Sequence, residues 1–184
     1  MKKTTLLAVV LFLITGCIGE KLNDKEKMIV GKWHCAMVEE TEETEDDYSG
    51  KMTLEYTVDY YSNKTETTEG KFRCRFNVDE IEYANTITLE YTISAKGTWS
   101  VEGNNLVEKM SEVNIEFEKA STIAKNNDDE VYIEALKQHI EDFLPELRND
   151  MLKKSRSKII KLTEDELSTE DVESDEPTTY TRIE

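Results

Sequence analysis

Met52-Thr53-Leu54-Glu55-Tyr56-Thr57-Val58-Asp59-Tyr60 alternates an apolar side chain with a polar one without interruption. A period of two places Met52, Leu54, Tyr56, Val58 and Tyr60 on one face of an extended strand and leaves the other face wet. The pattern spreads in both directions. Trp33, Cys35 and Met37 alternate with Lys32, His34 and Ala36. Phe72, Cys74, Phe76 and Val78 alternate with Lys71, Arg73, Arg75 and Asn77, and Ile87, Leu89, Tyr91 and Ile93 with Thr88, Glu90, Thr92 and Ser94. Trp99 and Val101, then Val113, Ile115 and Phe117, extend the series. One dry and one wet face is the mark of antiparallel strands. Ser62-Asn63-Lys64, Ala95-Lys96-Gly97 and Glu102-Gly103-Asn104-Asn105 carry turn residues between these runs, as hairpin connections require. Strands joined in this way form a meander, which hides its edges only by closing.

The period changes once. Across residues 128–154, Val131, Ala135, Leu136, Ile140, Phe143, Leu147 and Met151 recur at three- and four-residue spacing, which predicts an amphipathic helix. Asn127-Asp128-Asp129-Glu130 suits the positive end of its dipole, and Lys153, Lys154 and Arg156 suit the other. Pro145 is expected to kink or split it near Leu144. Its polar face is acidic until its end, unlike a helix lying on a membrane, so the apolar stripe is expected to pack on the sheet. Strand character returns at residues 157–162, 167–172 and 178–183. The pattern thus describes a mainly β chain: an antiparallel up-and-down β-barrel, complete or half-open, of about 8–10 strands, with one helix inserted near the C-terminal third.

The N-terminus reads differently. Lys2 and Lys3 precede an apolar run over residues 6–15 that is too short to span a bilayer. Ile14-Thr15-Gly16-Cys17 follows, completing the layout of a secretory signal. This tetrapeptide resembles the lipobox of bacterial lipoproteins. The resemblance implies removal of residues 1–16, lipidation of Cys17 and a lipid-anchored place in the bacterial cell envelope. By analogy with enterobacterial lipoproteins, Ile18 rather than aspartate after the cysteine points to the outer membrane. Residues 17–30 are expected to form the lipidated N-terminus and a tether reaching roughly 35 Å, and residues 31–184 the folded domain.

Charge narrows the partners. The chain carries 40 acidic against 23 basic residues, a formal net charge of −17. Such a surface repels nucleic acid and anionic lipid, so the expected membrane link is the lipid at Cys17. Three cysteines are an odd number for an exported chain. With Cys17 lipidated, Cys35 and Cys74 remain as a pair in an oxidising compartment. A disulfide between them is expected, closing a loop of about 40 residues worth on the order of 4 kcal/mol. The alternative is two buried free thiols.

Gly31-Lys32-Trp33 at the head of the first strand resembles the Gly-x-Trp start of the calycins, or lipocalin-like barrels. Gly97-Thr98-Trp99 with Glu102-Gly103-Asn104-Asn105-Leu106 is similar to a hairpin of lipocalin-like bacterial lipoproteins, as are Ile159-Ile160-Lys161-Leu162-Thr163 through Leu167 and Tyr180-Thr181-Arg182. In that family the first tryptophan packs across the barrel's closed end. The resemblance implies a binder of a small apolar or amphipathic ligand. True lipocalins place their helix after the eighth strand, whereas here strand-like sequence follows it.

The inward aromatics Trp33, Tyr56, Phe72, Phe76, Tyr91, Trp99 and Phe117 are the candidate pocket lining, against the alternative of a core filled by its own side chains. No metal, cofactor or catalytic residue is expected. His34 and His139 lack ligand spacing, His34 and Cys35 point to opposite faces of a strand, and nucleophile elbows, phosphate loops and HExxH helices are missing from the sequence. The acidic run over residues 39–47 lacks the glycine-turned pattern of a calcium loop and reads as a solvated loop. An apolar-ligand binder without enzymatic activity is the first expectation. An acidic envelope protein that engages a cationic protein, as an inhibitor or assembly factor, is the second.

Overall fold

A computed structural model describes residues 21–41, 48–80 and 83–183. The expected signal segment, Cys17 and most of the acidic run lie outside the described residues. Eight strands succeed one another as an antiparallel meander and close into a barrel, β8 returning to β1. They are β1 (Gly31–Thr41), β2 (Tyr48–Tyr60), β3 (Thr65–Glu80), β4 (Tyr83–Glu102), β5 (Asn105–Thr122), β6 (Lys154–Leu162), β7 (Glu166–Asp171) and β8 (Pro177–Arg182). Helix α1 (Asp24–Ile29) precedes β1, and α2 (Asp129–Met151) separates β5 from β6. The alternating runs and the change of period therefore translate directly into a mainly β barrel with one amphipathic helix in its C-terminal part.

Unequal strand lengths shape the molecule. β3, β4 and β5 run 16, 20 and 18 residues, whereas β7 and β8 have 6 each. β5 meets β6 only between Asn105↔Lys158 and Lys109↔Lys154, and β8 meets β1 only at Trp33 and His34. The ring of hydrogen-bonded strands is thus complete at one end only. Beyond it, β1 to β5 continue as a sheet, and α2 supplies the missing wall. Leu136, Ile140 and Leu144 of α2 join Phe72, Cys74, Val78, Ile87, Leu89, Tyr91, Ile93 and Ile115 in one core. A second core fills the closed end, with Ile29, Trp33, Tyr60, Trp99, Leu106, Ile159, Leu167 and Tyr180.

Two of the expected turns are found. The chain reverses between β2 and β3 over residues 61–64, with Lys64 at φ 63 and the Tyr61 N–H donating to the Thr65 carbonyl at 2.9 Å. Glu102 pairs with Asn105 across a two-residue loop whose first central residue, Gly103, has φ 68, where a type II′ hairpin calls for glycine. The third expected turn is corrected. Ala95-Lys96-Gly97 lies inside β4, which runs on to Glu102 with a register shift between Lys96 and Gly97. The glycine answers a need for space: a Cβ at Gly97 would lie 2.6 Å from the Lys109 carbonyl oxygen and 3.0 Å from Glu66 Oε1.

Residues 24–29, expected as part of a tether, are helical and dock on the barrel. Asn23 and Glu26 form a reciprocal capping box. Glu26 is buried, with Lys64 Nζ at 3.1 Å and the Val101 N–H donating to it at 3.3 Å. Ile29 has no exposed surface and its carbonyl accepts from Trp33 Nε1 at 2.7 Å. α1 is therefore a plug under the closed end. α2 runs through Pro145 as one helix and is not split there. Its start is tied down by Asp129, whose carboxylate accepts from the Asn126 N–H at 2.9 Å, Asn85 Nδ2 at 3.0 Å and Thr122 Oγ1 at 3.2 Å.

The expected Cys35–Cys74 disulfide does not form: both thiols are free and buried. Register gives the reason. Cys35 pairs with Tyr56 and Tyr56 with Gly70, so Cys74 lies two strands away from Cys35 and four residues further along. At about 4.8 Å per strand and 3.3 Å per residue, the Cα atoms are far beyond the ~7 Å reach of a disulfide. Burial pushes the Cys74 thiol up to about 12 and also raises that of Cys35. Both then behave as small apolar side chains.

Candidate ligand cavity

The closed end is a solid floor. Trp33 has no exposed surface, and the Arg182 guanidinium sits 4.1 Å from the centre of its ring. Trp99 donates from Nε1 to the Tyr61 carbonyl at 3.1 Å, and Tyr60 meets it edge-on with centroids 5.4 Å apart. Between this floor and α2 lies a cavity of about 460 Å³. Leu54, Val58, Phe72, Ile93 and Met110 form its strand walls, and Phe143, Leu147 and Met151 of α2 its lid. Asp150, Lys153 and Ser155 stand at its rim, where Lys153 Nζ pairs with Asp150 Oδ1 at 2.5 Å.

Polar groups gather at the inner end. Glu108 lines the cavity and accepts a hydrogen bond from the Tyr60 hydroxyl at 2.5 Å. Glu66, packed beside Glu108, is 1% exposed, and no donor other than the Glu108 carboxyl reaches its oxygens. The Thr68 hydroxyl is buried without a partner and faces the same space. Tyr56 donates to Tyr180 across the barrel at 3.1 Å, and both tyrosines line the cavity. Burial holds the Glu66 carboxyl far above the usual carboxylate range, and the neighbouring Glu108 adds to the shift. Burial likewise raises Glu108, although hydrogen bonds with Tyr60 and Glu66 oppose it. Two adjacent acids in a low-dielectric interior do not both ionise; a shared proton links them. Burial also raises Tyr60, Tyr56 and Tyr180.

The structure divides the aromatic set read from the sequence. Tyr56 and Phe72 line the cavity. Trp33 and Trp99 belong to the floor. Tyr91 is buried in the core under α2, with Phe76 packed against it. Phe117 touches Tyr91 edge-on at 5.5 Å and carries Lys137 over its ring at 5.0 Å. The cavity is therefore lined more by aliphatic side chains than by aromatic ones. Glu66, Thr68 and Glu108 escaped the sequence reading, although a signal for them exists. Counting back by twos from Phe72 through Gly70 reaches Thr68 and Glu66, and Glu108 stands between Leu106 and Met110. His34 lies outside the barrel, with Nε2 3.9 Å from Glu55, and His139 is exposed on α2. No group of three or more metal-ligating side chains occurs among the described residues.

No protein-family model matches the chain, and no curated protein matches it. The cavity itself has to suggest what it holds. Its walls suit an apolar body of modest size, and its inner end suits a polar head.

Proposed function

We propose that this chain is a lipid-anchored envelope lipoprotein whose lipocalin-like barrel binds a small apolar or amphipathic molecule and catalyses no reaction. The observation that carries the reading is the cavity of about 460 Å³, walled by Leu54, Val58, Phe72 and Ile93 and roofed by α2. A volume of that order falls in the range of small-molecule sites. The lipobox-like Ile14-Thr15-Gly16-Cys17 supports the anchor, and the acidic composition supports attachment by lipid rather than by protein surface charge. The outer membrane follows from the analogy with Ile18.

A hydrophobic fluorophore, N-phenyl-1-naphthylamine, tests the cavity. It is expected to bind the purified chain at one saturable site, and Leu54→Trp, which fills the cavity from its wall, is expected to abolish binding while the circular dichroism spectrum is kept. Binding unchanged by Leu54→Trp would move the ligand elsewhere. Labelled palmitate fed to expressing bacteria tests the anchor: incorporation is expected in the native chain and lost in Cys17→Ala.

A further inference from the structure

The inner end of the cavity selects a chemistry, on the premise that the cavity is a ligand site. We infer that the ligand is a primary amine with an apolar body, its ammonium group held by Glu108, which Glu66 backs, and by the Thr68 hydroxyl, and its body against Leu54, Val58, Phe72 and Ile93. Three observations converge on this. Thr68 is 6% exposed with an unpartnered hydroxyl in the cavity wall, and Glu66, 1% exposed behind it, has no donor other than the Glu108 carboxyl. Glu108 reaches the cavity, with the Tyr60 hydroxyl as its donor. Among the described residues lining the cavity the one cation is Lys153, which is at the rim and paired with Asp150. Glu108, with Glu66 beside it, therefore faces the inner end of the cavity with no cation there to neutralise it.

An ammonium group is a compact cation with three donors and no acceptor. It supplies the charge that a buried carboxylate lacks and donors for Glu108 and the Thr68 oxygen. A carboxylate head would meet like charge. An alcohol would offer one donor and no charge. Gly97 belongs to the same device: without a side chain it leaves Glu66 Oε1 the space that a Cβ would crowd at 3.0 Å. The titratable groups around the pair are Tyr60 and Tyr56 from β2, Tyr180 from β8 and, at the rim, Asp150 and Lys153. The three tyrosines are all shifted upward, which leaves the two acids to govern the response between pH 5 and pH 8.

Calorimetric titration of the full chain with 2-phenylethylamine, 2-phenylethanol and 3-phenylpropanoate separates the possibilities. The amine is expected to bind at least about tenfold more tightly than the alcohol at pH 8, since hydrogen bonds to charged groups are worth that much, and the carboxylate is expected not to bind. In Glu108→Gln the preference for the amine should collapse to near one. Should that variant fail to fold, the native chain still decides, because amine affinity should fall as pH drops from 8 to 5 while that of the alcohol stays flat. An alcohol that binds as tightly as the amine, or an amine affinity indifferent to pH, would overturn the head-group assignment. If the fluorophore binds in the cavity and none of the three probes does, the amine inference falls and the cavity reading stands. If neither the fluorophore nor any probe binds, both fall.

Discussion

At the closed end the strands complete their ring and large aromatic side chains fill it; at the other end β1 to β5 continue without their partners, and α2 takes the place of a wall. The closed end is stitched by backbone hydrogen bonds from β5 through β6, β7 and β8 to β1, and α1 plugs it from beneath. The wall made by α2 is held by side-chain packing, with Leu136, Ile140 and Leu144 each 7–9% exposed. Elements that dock through side chains alone open at lower free energy than those inside a hydrogen-bonded ladder. The comparison makes the floor the rigid part and α2 the lid. Trp33→Ala should therefore be the most damaging single change, costing about 4 kcal/mol and freeing Arg182 from its ring. Leu136→Ala, already nearer solvent, should cost about 2–3 kcal/mol. Urea unfolding of both variants measures the difference, and equal losses would mean that the two ends are not distinct in stability.

The acids within the barrel offer a sharper contrast, because they sit where a core would otherwise be apolar. The folded state holds the Glu66 carboxyl protonated well above its ordinary range. A raised carboxyl contributes fully below its unfolded value near 4.5 and loses that contribution as pH climbs toward its folded value. Glu66→Gln removes the ionisable proton and keeps the shape. The variant should match the native chain at pH 4 and exceed it by about 2 kcal/mol at pH 8, following ~1.4 kcal/mol per pH unit of linkage reduced by proton sharing with Glu108. Stability against urea at the two pH values checks this. A native chain whose stability is level across that range would mean that the pair is solvated.

Much of this contrast was written in the sequence, and the misreadings have physical causes. Alternation finds which face a residue occupies, so Cys35 and Cys74 were correctly placed inward. It does not say how far one strand slides along the next, and the register Cys35↔Tyr56↔Gly70 separates the two thiols. Gly97 resembled a turn because glycine serves both positive φ and close approach, and only three dimensions tell them apart. The capping pattern Asn23-x-x-Glu26 was legible as the start of α1, but its polar surroundings resembled a tether. Glu66 and Glu108 interrupt the hydrophobic rule that identified their own strands. Charge at an inward position reads as the wet face until both neighbours two residues away are counted.

Glu90 completes the comparison, since it lies on the outer face of β4 while Gly97 of the same strand leaves room for Glu66 within. Arg73 Nε approaches Glu90 at 2.5 Å, Lys71 Nζ at 3.0 Å and Lys119 Nζ at 3.5 Å. The Arg73 hydrogen bond first, and the Lys71 hydrogen bond next, bring its carboxyl down to about 2. The sign is opposite to that of Glu66: the stabilisation is present above the unfolded value near 4.5 and is lost as pH falls toward 2. Its size is also smaller. Arg73, Lys71 and Lys119 are 37%, 41% and 61% exposed, and water and salt screen such pairs to at most about 1 kcal/mol. Glu90→Gln should thus flatten the acid limb between pH 5 and pH 2.5 at low ionic strength, and 0.5 M salt should erase most of the difference from the native chain. An acid limb of unchanged steepness in the variant would assign the loss to other carboxylates. The barrel would then keep one acid that its fold disfavours within, without the matching acid that it favours outside.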